Sequence, residues 1–267
     1  VNHLLRGHAP ITDAGWAALD QEARERLAAG LAARKLVDFE GPKGWEYSAT
    51  NLGRVDGIAA APFEGIEAVQ RRVLPLVEVR APFTVARAEL AAGDRGAADV
   101  DLGDLDRAAH ELAVAENAAV FHGWKAAGIT GIAEASPHEP IAFSNGFDTY
   151  PKHVAKAVEL LLLAGVSGPY GLALGSDEYT GVVETTEHGG YPVFDHLRNI
   201  LQGPIVWAPG VEGAVVVSLR GGDFLFESGE DLSLGYSHHD ADDVSLYLEE
   251  TFSFRVATPE AAVALHS

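Results

Sequence analysis

The chain has no cysteine and no methionine in 267 residues, and only 19 Lys and Arg against 39 Asp and Glu. The missing cysteines exclude disulfides, thiolate nucleophiles and Cys-ligated zinc, and they suit a reducing compartment. A formal net charge of −20 opposes a nucleic-acid-binding surface, because phosphate contacts need clustered Lys and Arg. No apolar run approaches the roughly 18 residues of a membrane span; Leu160 to Leu163 is only a short patch. The first residues, Val1 to His8, lack the long apolar core of a signal peptide, so a cytoplasmic location is expected. Catalytic signatures are missing as well. There is no phosphate loop ending in Gly-Lys-Ser/Thr, no dinucleotide fingerprint after a strand, no nucleophile elbow and no His-Glu-x-x-His. No enzymatic activity is expected.

What remains is an ordinary globular composition, 47% hydrophobic with 29 Gly and 13 Pro, in a chain long enough for a substantial core. Trp16, Leu19, Ala23, Leu27 and Leu31 recur at helical spacing and predict a helix from the N-cap candidate Thr12 to about Leu36. Residues 48 to 76 lose that periodicity up to a strand pattern over Val77 to Val85. A long helix follows from about Asp101 to Trp124, its apolar stripe running through Leu105, Ala109, Leu112 and Val120, with Glu111 and Glu116 read as mainly off it. From about Ile132 the pattern turns α/β. Pro151 opens a helix capped by Gly165, Gly171 to Leu174 reads as a buried strand, Pro192 opens another helix, and Ile205 to Trp207 and Ala214 to Leu219 read as core strands. Finally, Val244, Leu246, Leu248, Phe252, Phe254 and Val256 predict a strand with one apolar face, interrupted only by Glu250.

Three segments invite a chemical reading. His238 to Asp243 offers hard and borderline metal ligands, but adjacent residues on one extended stretch rarely converge on one ion, and a solvated turn is the competing reading. Glu184 to Tyr191 could supply an acid and a base, or be a polar loop before the Pro192 helix. His188, Asp195 and His196 make an acid/base group without a nucleophile nearby. Gly165 to Gly171 is glycine-rich but precedes a strand, which fits a turn better than a phosphate cradle.

Four phrases stand out in order: Arg34-Lys-Leu-Val-Asp-Phe-Glu-Gly-Pro-Lys-Gly-Trp-Glu-Tyr47, Gly168-Pro169-Tyr170, Arg220-Gly221-Gly222-Asp223-Phe224 and Asp231-Leu232-Ser233-Leu234-Gly235-Tyr236. With them the chain resembles the encapsulins, shell proteins related to tailed-phage major capsid proteins, from about Leu4 to Leu265. The resemblance implies an α+β chain in the tailed-phage major capsid fold, with a discontinuous peripheral domain (1–47, 77–132 and 222–267), an extended loop (48–76) and an axial domain (133–221). It implies self-assembly into a closed icosahedral shell, about sixty copies in the simplest form. It also implies an enclosed enzyme cargo, a dye-decolourising peroxidase or a ferritin-like protein, held by its C-terminal targeting peptide.

The positions matching the family's cargo-peptide groove are Leu27, Leu31, Arg34 and Asp38 on the helix side, and Leu232, Leu234 and Tyr236 on the strand side. Apolar anchors with flanking charges suit a short peptide, and many copies can hold an oligomeric cargo by avidity. The competing readings are ordinary core for the leucines and a helix-end i,i+4 pair for Arg34 and Asp38. Glu184, Glu187, His188, Gly189 and Gly190 match a loop lining a fivefold pore. Some relatives bind flavin through an aromatic in the segment matching Thr84 to Leu90; Ala88 stands at that place, so no cofactor is expected, nor any metal. Two alternatives compete. A phage or prophage capsid protein would more often carry a scaffolding segment before the fold, whereas this chain begins directly with the groove helix. A secreted antibacterial hydrolase, in line with the family's early description as bacteriocins or proteases, lacks both signal peptide and nucleophile here.

Overall fold

The computed structural model describes residues 3–59, 61–63, 65–143, 146–187 and 189–266. In chain order it runs α1 (Asp13–Gly30), β1 (Asp38–Glu40), β2 (Ala49–Gly57), β3 (Val69–Pro75), β4 (Val77–Ala86), α2 (Arg87–Asp94) and α3 (Gly103–Phe121). Then come α4 (Ile132–Ala135), β5 (Ile141–Ala142), α5 (Tyr150–Leu163), β6 (Tyr170–Leu174), α6 (Ser176–Glu184), α7 (Val193–Leu201), β7 (Ile205–Trp207) and β8 (Ala214–Ser218). The last four strands are β9 (Phe224–Ser228), β10 (Ser233–His239), β11 (Asp243–Val256) and β12 (Ala262–His266).

One sheet has the order β1-β9-β11-β10, with β4 also pairing β11, and a second has the order β5-β12-β8-β6-β7. Residues 222–267 therefore contribute β9, β10 and β11 to the first sheet and β12 to the second. The helix α3 packs on β4, β11 and α1, and its apolar stripe meets the buried face of α1 in one core with Phe83, Leu246 and Leu248. A second core surrounds β6 and β8, whose residues are buried along their whole length. Such strands read as continuous apolar runs, because both of their faces are covered.

The helix α1 starts as its sequence predicts: Thr12 Oγ1 accepts the Gly15 N–H at 3.0 Å. It stops at Gly30 rather than near Leu36, for a reason lodged in α3. The buried Asn117 side chain accepts the N–H groups of Ala32 and Ala33 at 3.1 and 3.0 Å, and donates to the carbonyls of Gly30 and Pro209 at 2.8 and 3.0 Å. A side-chain amide thus replaces the helical partners, and only a short 3₁₀ turn, Ala33–Lys35, follows.

Three further expectations change. Residues 49–57 and 69–75 are not irregular: β2 and β3 form an antiparallel ribbon from Ala49↔Pro75 to Gly57↔Val69, with a register shift between Asn51 and Arg54. Along this ribbon and its tip Val55, Ile58, Phe63, Ile66, Val69 and Val73 lie exposed, Phe63 at 73%. The strand β11 is not one-sided, since both its faces are buried from Leu246 to Phe254. Its outward polar residues are paired: Glu249 accepts from Arg80 Nε, Thr251 Oγ1 accepts the Glu230 N–H, and Ser253 shares a hydrogen bond with Thr50. Lastly, Glu116 lies on the buried stripe of α3, 1% exposed, between Leu112 and Val120.

Candidate functional site

Leu27 in the last turn of α1 and Leu31 just after it line one cleft with Leu232 just before β10, Leu234 within it and Leu248 of β11. They line a groove of about 280 Å³ that has Arg34 and Asp231 at its edge. Five of the seven residues matched to a peptide groove from the sequence are therefore brought together: Leu27, Leu31, Arg34, Leu232 and Leu234. Asp38 and Tyr236 stand apart. Asp38 starts β1 and accepts the Gly222 N–H at 2.7 Å, which joins the Arg34–Tyr47 segment to the turn before β9. Tyr236 packs into the core below the groove, and its hydroxyl meets His239 Nδ1 at 2.6 Å.

Arg34 differs most from its expected role. Its side chain is only 14% exposed, and its nitrogens are occupied by three carboxylates. Nε donates to Glu116 at 2.7 Å, Nη1 to Asp231 at 2.7 Å and Nη2 to Glu250 at 2.6 Å. The rings of Phe39 and Phe226 flank the guanidinium, with centroids 4.9 and 5.4 Å away. Burial opposes the Arg34 cation, but Glu116 and Glu250 more than offset it and hold its pKa above the ordinary value. The helix-end pair with Asp38 does not form, since Asp38 belongs to a strand and bonds elsewhere. Arg34 is thus a bolt between the 3₁₀ turn Ala33–Lys35, α3, β11 and the β9–β10 turn, and not a free cationic clamp.

The rest of the Arg34–Tyr47 segment is fastened in the same manner. Phe39 stacks on Phe226 at 5.5 Å between centroids. Gly41 passes so near β9 that a Cβ there would lie 2.6 Å from the Ser228 carbonyl oxygen, so only glycine fits. Glu227 Oε2 collects Lys43 Nζ, Tyr47 Oη and the Thr50 hydroxyl at 2.8, 2.6 and 2.9 Å. Burial alone would raise the Glu227 carboxyl; these three donors outweigh it and leave its pKa below the usual range.

Of the loop matched to a pore, Glu184 is the last residue of α6 and His188 lies outside the described residues. Glu187 Oε1 is 3.0 Å from His196 Nδ1 on α7, and its N–H donates to the Tyr191 carbonyl. Gly189 and Gly190 have φ of +116° and +82°, which side-chain-bearing residues rarely adopt. Of the acid/base group of His188, Asp195 and His196, Asp195 and His196 both lie on α7, and His196 contacts Glu187, which the group did not include. The His238–Asp243 segment runs from the end of β10 through the turn into β11, with Asp240 Oδ1 accepting the N–H groups of Asp242 and Asp243 at 2.9 and 2.8 Å. Ala88, on α2, is exposed.

Leu248, Glu116, Glu250 and Asn117 were not foreseen as parts of this region. Glu250 had a signal, as the one acidic residue on an apolar face. Glu116 had one too, in its spacing of four from both Leu112 and Val120. Asn117 had none, since its partners are 85 residues away in the chain.

Comparison with known proteins agrees with this architecture. A family model described as "Encapsulating protein for peroxidase" matches residues 1–253. The type 1 encapsulin shell protein of Rhodospirillum rubrum is 48% identical, over 99% of this chain and 96% of its own length. That of Mycolicibacterium paratuberculosis is 43% identical over the whole of both chains. Among solved structures, the virus-like particle from Pyrococcus furiosus aligns with a TM-score of 0.63 at 19% identity, covering 94% of this chain and 99% of that one. The capsid of an empty GTA particle aligns at 0.52 and 15%, covering 88% and 89%. Both place the fold among tailed-phage major capsid proteins, and full-length identities above 40% place the chain itself within the encapsulin shell-protein family.

Proposed function

We propose that this chain is the self-assembling subunit of a closed icosahedral compartment, about sixty copies in size, which holds an enzyme cargo by docking the cargo's C-terminal peptide in the leucine groove. The observation that carries the reading is the groove itself. Leucines from two elements far apart in sequence line a small cleft at the end of α1, in which Leu27, Leu31 and Leu234 are 5%, 8% and 2% exposed and belong to the subunit's core, while Leu232 is partly exposed. An extended peptide with apolar side chains of leucine size suits such a cleft. The peroxidase of the matching family's description makes a dye-decolourising peroxidase the first cargo to test, with a ferritin-like protein second.

Assembly is supported by the β2–β3 ribbon, whose exposed apolar residues need a neighbouring copy to cover them. On this reading residues 1–47, 77–132 and 222–267 form the peripheral domain, 48–76 the extended loop and 133–221 the axial domain, with β12 returning to the axial sheet. The Glu184–Gly190 turn, tethered through Glu187 to His196, would border a fivefold pore, and the compartment would be cytoplasmic. A phage capsid is the second reading; identities of 40–48% to encapsulins against 15% to the GTA capsid favour the first.

Electron microscopy of the purified chain tests assembly: uniform empty icosahedral particles support it, and a monomer refutes it. For cargo, the chain is co-expressed with a fluorescent protein carrying a peroxidase C-terminal tail. Leu232→Lys, at a partly exposed position, should leave shells intact and abolish co-purification of fluorescence. Loading unchanged by Leu232→Lys would remove the groove from the proposal.

A further inference from the structure

Beneath the groove the charges do not balance. One cation, Arg34, faces Glu116 of α3, Glu250 of β11 and Asp231 of the β9–β10 turn. Asp231 is 42% exposed, whereas the Glu116 and Glu250 side chains are 0% and 1% exposed. Each buried carboxylate spends one oxygen on Arg34. The second oxygens, Glu116 Oε1 and Glu250 Oε1, are buried and have no donor among the described residues. The other oxygens of the two carboxyls meet on one nitrogen, Glu116 Oε2 and Glu250 Oε2 lying 2.7 and 2.6 Å from Arg34 Nη2. Phe39 and Phe226 cover the guanidinium, leaving little access for water.

Two ionised carboxylates here would place like charges side by side in a dry site and leave two acceptors unsatisfied, each with a substantial desolvation penalty. A single proton removes both problems. It neutralises one carboxyl, and the resulting O–H brings a donor to a site whose orphan oxygens have none among the described residues.

We propose that Glu116 and Glu250 share one proton at neutral pH, and that losing it on the alkaline side loosens the contact between α3, β11 and the Arg34–Asp231 wall of the groove. Burial first, and for Glu250 the neighbouring Glu116 next, raises both carboxyls above the ordinary range despite Arg34. The sign follows from linkage. A carboxyl whose pKa is raised on folding contributes stability that is complete below the unfolded value and is lost as pH rises through the folded one. Within that window the folded state holds about one more proton per subunit than the unfolded state.

The test uses assembled shells. Infrared difference spectra of wild type against Glu250→Gln, and against Glu116→Gln, should each show one protonated-carboxyl carbonyl band lost at neutral pH, since glutamine supplies the same donor and leaves the partner ionised on Arg34. Proton release on unfolding should fall by about one per subunit in each variant, and the alkaline decline in stability should flatten. Backbone exchange at Leu232–Leu234, compared at equal pH, should accelerate in wild type relative to Glu250→Gln as pH rises. Absence of the band in wild type would mean both groups are ionised; its persistence in both single variants would mean two protons. Either result overturns the proposal, as does an unchanged alkaline profile in both glutamine variants.

Discussion

Replacing Arg34 by alanine separates a structural bolt from a peptide clamp. Among the described residues the guanidinium is the only cation paired with Glu116, Glu250 and Asp231, and two of those carboxyls are cut off from solvent. Truncating one partner of a buried ion pair costs about 3–5 kcal/mol, because the charge left behind must be buried unpaired or neutralised. At about 2–4 °C per kcal/mol for a domain of this size, the melting temperature should fall by roughly 6–20 °C. Asp38→Ala serves as the internal control. It removes one exposed hydrogen bond, to the Gly222 N–H, and should cost only about 1 kcal/mol. Thermal unfolding followed by circular dichroism measures both, with size-exclusion chromatography reporting the yield of shells. Arg34→Met combined with Glu116→Gln should recover part of the loss, which would trace it to uncompensated charge and not to lost packing alone. If Arg34→Ala shells melt with wild type but fail to load cargo, the bolt is wrong and the clamp right.

Glu227→Gln should cost about 2 kcal/mol at neutral pH by weakening the contacts with Lys43, Tyr47 and Thr50. Because the Glu227 pKa is lowered on folding, its contribution is present above the ordinary carboxylate value and is lost as pH falls through the folded one. Acid titration of the variant should therefore show a shallower decline than wild type, read by circular dichroism. Asn117→Ala strands the N–H groups of Ala32 and Ala33 and the carbonyls of Gly30 and Pro209; a loss of about 3 kcal/mol or more is expected, with earlier proteolysis after Gly30. Phe63→Asp, at the exposed ribbon tip, should leave the far-ultraviolet spectrum of the subunit unchanged while lowering shell yield in size-exclusion chromatography.

Much of the fold was legible because it follows from local pattern. The Thr12 cap, the Pro151 and Pro192 helix starts, the buried runs of β6 and β8, and the apolar faces of α3 and β11 all express periodicity or capping within a few residues. The groove leucines were legible only through resemblance to a family, since nothing local says that Leu27 and Leu232 meet. What was missed shares one cause: polar side chains acting at long range. Periodicity carries the first helix on to Leu36, since Leu31 and Leu36 are apolar; the stop is imposed by Asn117 from another helix. The ribbon of residues 49–75 looked irregular because neither of its faces is buried within one chain, so neither face shows alternation.

The two acids tell the most. Glu116 and Glu250 each sit where an apolar residue would extend a buried stripe, and such an interruption is costly unless a partner answers it. Reading Glu116 as off the stripe hid half of the pair, and reading Glu250 as a lone break hid the other half. Arg34, quoted as a signature residue, was the missing third member. Two acidic breaks in separate buried faces, with one arginine in a conspicuous segment, are together a sequence-level pointer to a buried ionic bolt. On that argument the Arg34–Tyr47 segment is a fastening: Arg34 ties it to α3 and β11, Asp38 to the turn before β9, and Lys43 and Tyr47 to β9 itself. On the proposed function, the part left for cargo recognition is the leucines that the fastening holds in place.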